Sequence, residues 1–157
     1  ISVKSEQGKG STFCVDLPFI IGAPEEKAAP RRGSARGDEL ILVAEDEPLV
    51  RAQAVRILKR AGYNVLEAED GLKAVDVFES NPDVALVLLD VIMPGLDGWQ
   101  AFSRIEAIRK GVKVLFITGY AASALPPDFG RLGKRLLSKP YMPQALLDLV
   151  RELLDHT

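Results

Sequence analysis

Cysteine, histidine and tryptophan each occur once in this chain, as Cys14, His156 and Trp99. A lone cysteine excludes an internal disulfide framework and any zinc cluster built on cysteines. It is compatible with a reducing setting, and a cytoplasmic location is the expectation. The one histidine is the penultimate residue and reads as inert. Long apolar runs are missing too: none approaches the roughly 20 residues of a membrane span, so no membrane contact is expected of this segment. Neither charge sign dominates, with 20 Lys and Arg against 22 Asp and Glu. That balance leaves no basic footprint for nucleic acid. The first residue is Ile1, and no basic-then-apolar signal pattern follows it, so the sequence is expected to be a piece of a longer protein.

What is present is a proper core. The 157 residues are 47% hydrophobic and 27% charged, as suits one globular domain. The most informative stretch is Val84–Gly98: six apolar residues, Asp90, then the turn formers Met93-Pro94-Gly95. A short apolar run bounded by turn formers suits a strand buried on both faces, as in a parallel sheet. Asp90 then stands where the strand leaves the sheet, and open α/β sheets bind ligands outside the carboxyl ends of their strands. Taken alone, Asp90 could equally be a helix cap.

Three further strand ends accompany it. Leu40–Ala44 leads into Glu45-Asp46-Glu47-Pro48, which opens a helix carrying Val50, Ala54, Ile57, Leu58 and Ala61 on one face and stopping at Gly62. Asn64–Ala68 predicts a strand, and Asp70 caps a helix that uses Leu72, Val75 and Phe78. After the Asp90 turn, Asp97-Gly98 begins a helix with Trp99, Phe102, Ile105 and Ile108. Trp99 is expected to pack at the start of that helix. Lys113–Thr118 and Arg135–Ser138 are the last strands, and from Met142 a final helix aligns Leu146, Leu149, Val150 and Leu153. Five strands alternating with helices predict an α/β fold, a doubly wound parallel sheet covered on both faces.

The N-terminal part reads differently. Ile1 and Val3, then Phe13, Val15 and Leu17, alternate around a glycine turn, which predicts a β-hairpin. Two strands are not a stable unit alone, so residues 1–22 should belong to a domain whose remainder lies elsewhere. Residues 23–37 combine small, charged and breaker residues without apolar period and predict a flexible linker; Arg31, Arg32 and Arg36 read as incidental charge on it. Residues 38–157 hold the repeating βα pattern.

Two resemblances follow from these residues. Ser5-Glu6-Gln7-Gly8-Lys9-Gly10-Ser11-Thr12-Phe13, with Leu17-Pro18 beyond, resembles the end of the ATP-binding domain of sensor histidine kinases. In that family the turn at Gly8 and Gly10 borders the nucleotide pocket. The family's Asn-bearing helix and Asp-x-Gly loop do not precede it, so ATP binding by this chain is not expected. Glu45-Asp46, Asp90 with Met93-Pro94-Gly95 and Asp97-Gly98, Thr118, and Lys139-Pro140, in that order, resemble the receiver domain of two-component response regulators. The likeness runs from Asp38 to the end. It implies the flavodoxin-like strand order 2-1-3-4-5, a cis peptide at Lys139-Pro140, and a phosphoacceptor at Asp90 fed by a histidine kinase or a histidine phosphotransfer domain.

Three carboxylates brought together repel, by about 4 kcal/mol per close pair at an effective dielectric of roughly 20. A hard divalent cation relieves this, and an oxygen-only donor set favours Mg²⁺. The resemblance implies that Asp46, Asp90 and the backbone carbonyl of Ile92 reach the metal directly. Glu45 stands where the family often has Asp, and reaches it directly or through water. Lys139 would stabilise charge on the transferring oxygens, and Thr118 would donate to the acyl phosphate. Each residue also has a plain reading: Glu45 and Asp46 as a helix start, Thr118 as a strand residue, Lys139 as a surface cation.

Two departures from the family are visible. Leu136 stands where receivers commonly carry an aromatic, and Pro126-Pro127 with Gly130 and Gly133 predicts a short or irregular fourth helix within 120–134. The sequence as a whole reads as a receiver at the C-terminus of a hybrid sensor kinase, not itself an enzyme. The rivals are a receiver-like docking module that is never phosphorylated and a hydrolase of the haloacid-dehalogenase kind. The latter wants Asp-x-Asp after its first strand, where this chain has Glu-Asp-Glu.

Overall fold

A computed structural model describes residues 1–16, 37–119 and 136–155. The expected linker and irregular fourth helix, along with Arg135 and His156, lie almost wholly outside these residues. The chain divides into two units, residues 1–33 and 34–157.

In the first unit, β1 (Ser2–Glu6) and β2 (Gly10–Cys14) pair antiparallel with Val3 opposite Phe13. The expected hairpin is formed, with positive φ at Gly8 and Gly10, where glycine meets no steric penalty. Both strands are exposed along their whole length.

In the second unit, β3 (Leu40–Ala44), β4 (Asn64–Ala68), β5 (Val84–Asp90), β6 (Lys113–Thr118) and β7 (Leu136–Ser138) form one parallel sheet in the order β4-β3-β5-β6-β7. Counted from β3, that is the expected 2-1-3-4-5. Alternate residues of the strands feed two cores. Leu42, Val87, Leu89, Val114 and Phe116 face one way, toward α2 (Gly71–Ser80) and α3 (Gly98–Ile108). Ile41, Val43, Leu86, Leu88, Leu115 and Ile117 face the other, toward α1 (Pro48–Arg60) and α4 (Pro143–Asp155). This is why the strands read as unbroken apolar runs.

The local signals work as their chemistry requires. Asp70 Oδ1 accepts the Lys73 amide at 2.7 Å and caps α2. Asp97 and Gln100 exchange hydrogen bonds in a capping box at the start of α3. Gly62 ends α1 at φ +101°. The Lys139–Pro140 bond is cis, as expected. Two helical faces are turned from expectation. Helix α2 buries Gly71, Ala74 and Phe78 and leaves Leu72 53% exposed, while α3 buries Ala101 with Phe102 and Ile105 and leaves Ile108 45% exposed. Gly71 and Gly98 take inward seats because a Cβ there would stand 2.2 Å from the Leu96 carbonyl oxygen and 2.1 Å from that of Asp90. Trp99 does pack at the start of α3, its ring 5.8 Å from Phe102 and 6.1 Å from Phe116.

Candidate functional site

Strand register assembles the site. Ala44 pairs with Leu89, Asp90 with Ile117 and Thr118 with Ser138, so Glu45, Asp90, Thr118 and Lys139 end up side by side along the carboxyl edge. Backbone bonds continue past the strands and hold them there. The Glu45 amide donates to Ala68 O at 3.2 Å, the Val91 amide to Ile117 O at 2.9 Å, and the Lys139 amide to Thr118 O at 2.6 Å.

The side chains converge from that frame. Lys139 Nζ donates to Glu45 Oε2 at 2.6 Å and to Asp90 Oδ2 at 2.8 Å. Carboxylate oxygens of Glu45, Asp46 and Asp90 lie within 4.8 Å of one another. Glu45 and Asp90 are buried, as is Thr118. Ile92 is half exposed, and its amide donates to Asp90 Oδ1 at 3.3 Å, which ties the start of the following loop to the acid. The sequence-predicted residues are thus brought to one edge, and the ammonium is shared by two of the acids.

The electrostatics follow from burial and neighbours. Burial pushes the Glu45 carboxyl above its ordinary range and nearby Asp90 adds to the rise, with Lys139 opposing both. For Lys139, burial favours the neutral amine, but the hydrogen bonds to Asp90 and Glu45 outweigh it and hold the pKa above the ordinary value. Burial also raises the Tyr141 hydroxyl, beside the same charges. Among the described residues, one ammonium among three carboxylates leaves excess negative charge. The donors are all oxygen, so the set fits a hard divalent cation such as Mg²⁺ better than a thiolate- or imidazole-seeking metal.

Sequence reasoning missed Arg51. From the first turn of α1 its Nη1 donates to the Glu45 carbonyl at 2.6 Å, and its Nε stands 3.8 Å from Glu67. It braces the acidic loop through backbone rather than side chain. The only available signal was its place one turn after the acidic pair. Leu136 is half-buried, paired in register with Phe116.

Residues 41–151 match the response regulator receiver domain. The sensor kinase CckA of Brucella abortus (strain 2308) is 34% identical over 165 aligned residues, covering 96% of this chain and 17% of that protein. The response regulator receiver protein CpdR of the same organism is 39% identical over 114 residues, 72% of this chain and 92% of that one. The crystal structure of the receiver domain of hybrid histidine kinase CckA superposes with a TM-score of 0.62 at 35% identity, covering 74% of this chain and 99% of that one. The chain therefore spans a small part of the sensor kinase and nearly all of the single-domain relative. With its parallel sheet, its acidic edge and a match over most of its length, this chain belongs to the response regulator receiver family of two-component signalling.

Proposed function

We propose that Asp90 accepts a phosphoryl group from a phosphohistidine in a Mg²⁺-dependent reaction, and that this relays or regulates the signal of a hybrid sensor kinase. The observation that carries the reading is the shared ammonium: Lys139 Nζ lies within hydrogen-bonding distance of both Asp90 and Glu45, with Asp46 beside them. A carboxylate oxygen of Asp90 forms the new O–P bond as the N–P bond of the donor breaks. The leaving imidazole keeps the electron pair and takes a proton from solvent. Lys139 would neutralise charge on the transferring oxygens, and Thr118, buried at the end of the neighbouring strand, would donate to the product. Asp46, Asp90, the Ile92 carbonyl and Glu45, directly or through water, would hold Mg²⁺. When bound, the ion supplies charge neutralisation for the carboxylates and the phosphoryl oxygens.

Residues 1–22 we read as the tail of a histidine kinase ATP-binding domain, followed by a linker over 23–37. In support, the likeness to the sensor kinase CckA covers 96% of this chain, more than the receiver fold occupies. The phosphodonor is then a histidine kinase or histidine phosphotransfer domain in the cytoplasm.

The test is intact-protein mass after incubation with a small acyl or amido phosphodonor, with and without Mg²⁺, on wild type and Asp90→Asn. One Mg²⁺-dependent phosphoryl adduct, lost in the variant, is expected. An adduct that survives in Asp90→Asn would remove Asp90 from its role. No adduct on wild type, even from a phosphorylated histidine kinase, would point to a docking module that is never phosphorylated.

A further inference from the structure

We infer that Gly71 and Gly98 are positioning residues for the phosphoacceptor site, each letting the first turn of a helix seat directly on the loop that follows Asp90. The inference rests on the metal-assisted reading above and names residues which that reading does not use.

Five glycines among the described residues have positive φ: Gly8, Gly10, Gly62, Gly95 and Gly111. Gly71 and Gly98 do not, so backbone conformation does not explain them. Both are the first residues of helices, α2 and α3, where glycine brings no helical propensity. What explains them is space. A Cβ on Gly98 would stand 2.1 Å from the Asp90 carbonyl oxygen and 3.2 Å from Val91 Cα. A Cβ on Gly71 would stand 2.2 Å from the Leu96 carbonyl oxygen. These obstacles are backbone atoms, and a rotamer change does not clear them. The Gly98 amide also donates to Val91 O at 3.1 Å.

The two contacts grip the loop at opposite ends, α3 on Asp90 and Val91, α2 on Leu96. Between them Val91, Met93 and Leu96 bury their side chains in the core, whereas Ile92 is half exposed and Gly95 has open space around it. The Ile92 amide is held to Asp90 Oδ1 at 3.3 Å and Met93 is buried in the core, so the peptide between them keeps the position that the two gripped ends of the loop set. Adding a methyl at Gly98 must move either α3 or the Asp90 backbone, and with it the Ile92 carbonyl that would serve as a ligand.

The experiment is Mg²⁺ titration by calorimetry on wild type, Gly98→Ala, Gly71→Ala and Gly111→Ala, each well below its melting temperature. Gly111 is the control: its φ of +75° makes alanine strained there, yet nothing lies within 4 Å, so it loses stability without touching the loop. Gly98→Ala is expected to weaken Mg²⁺ binding by about tenfold, the scale seen when supports of a metal ligand are removed. Gly71→Ala should weaken it less, and Gly111→Ala should leave it at the wild-type value. If Gly98→Ala melts lower but binds Mg²⁺ as wild type does, the glycine serves stability alone and the inference is overturned. If Gly98→Ala fails to fold, Gly71→Ala decides by the same criterion. If both fail, the decision passes to the wild-type amide resonances, where Mg²⁺ should shift Gly71 and Gly98 and leave Gly111 in place; an unmoved Gly71 and Gly98 overturns the inference. A wild type that neither binds Mg²⁺ nor gains a phosphoryl group strikes the proposed function itself, whereas an active wild type with an equally active Gly98→Ala strikes only the positioning role.

Discussion

The two ends of the parallel sheet carry similar charges in different proportion. At the amino end Arg151 reaches Glu39 Oε1 and Asp155 Oδ1, both at 2.8 Å, and Lys113 Nζ donates to the Leu154 carbonyl at 2.7 Å. Arg109 donates to the Pro82 and Val84 carbonyls and lies over the Phe78 ring at 4.5 Å. Cations there are met by two acids and three backbone carbonyls and fasten helix ends to the sheet. At the carboxyl end one ammonium faces three carboxylates. Cations that meet carbonyls and paired acids hold a fold together; acids left in excess are available to a ligand.

That contrast can be broken most sharply at Lys139. Lys139→Ala should slow phosphoryl transfer by about a hundredfold, the scale of losing one aligned donor to developing charge, read from the rate of adduct formation. Arg51→Ala removes the brace on the Glu45 carbonyl and should weaken Mg²⁺ binding by about tenfold in calorimetry, with transfer surviving at saturating metal. Arg151→Ala, at the other end, should cost up to about 1 kcal/mol in a denaturant melt, since the pair is partly solvated, and leave the transfer rate unchanged. A change in rate there would mean the two ends are coupled.

The smallest effect concerns pH. Burial works to raise the Glu39 carboxyl, but the bonds from Arg151 and from its own backbone amide, with the Arg151 charge, bring it below the ordinary 4.5. A depressed folded value adds stability above the unfolded pKa and loses it as pH falls through the folded one. Wild type should therefore lose stability faster than Glu39→Gln as pH drops below about 4.5, measured as melting temperature against pH. Parallel curves for the two proteins would separate Glu39 from acid unfolding.

Much of this architecture was legible because apolar runs ending in a carboxylate, a hydroxyl or an ammonium announce both a strand and the edge where it stops. Glu45, Asp90, Thr118 and Lys139 are each such a terminus, and register brought them together. What was not legible depends on approach between backbones. Leu72 outranks Gly71 in hydrophobicity, yet α2 turns Gly71 inward, where Leu96 O leaves no space for a side chain. Arg51 acts on a carbonyl, and no side-chain pattern marks that. The capping acids Asp70 and Asp97 were readable, since a cap is a contact within one turn.

The pairing of Ala44 with Leu89, Asp90 with Ile117 and Thr118 with Ser138 also limits how such a chain can change in length. Each strand residue advances the chain by about 3.3 Å and turns the next side chain to the opposite face. One residue inserted between Leu86 and Asp90 would carry Asp90 past Lys139 and point it toward α2 and α3, a change no substitution elsewhere could undo. The start of β5 does hold such an extra residue, at the register shift between Leu40 and Ile41, but from Leu86 to Asp90 the strand can drift in composition and not in count.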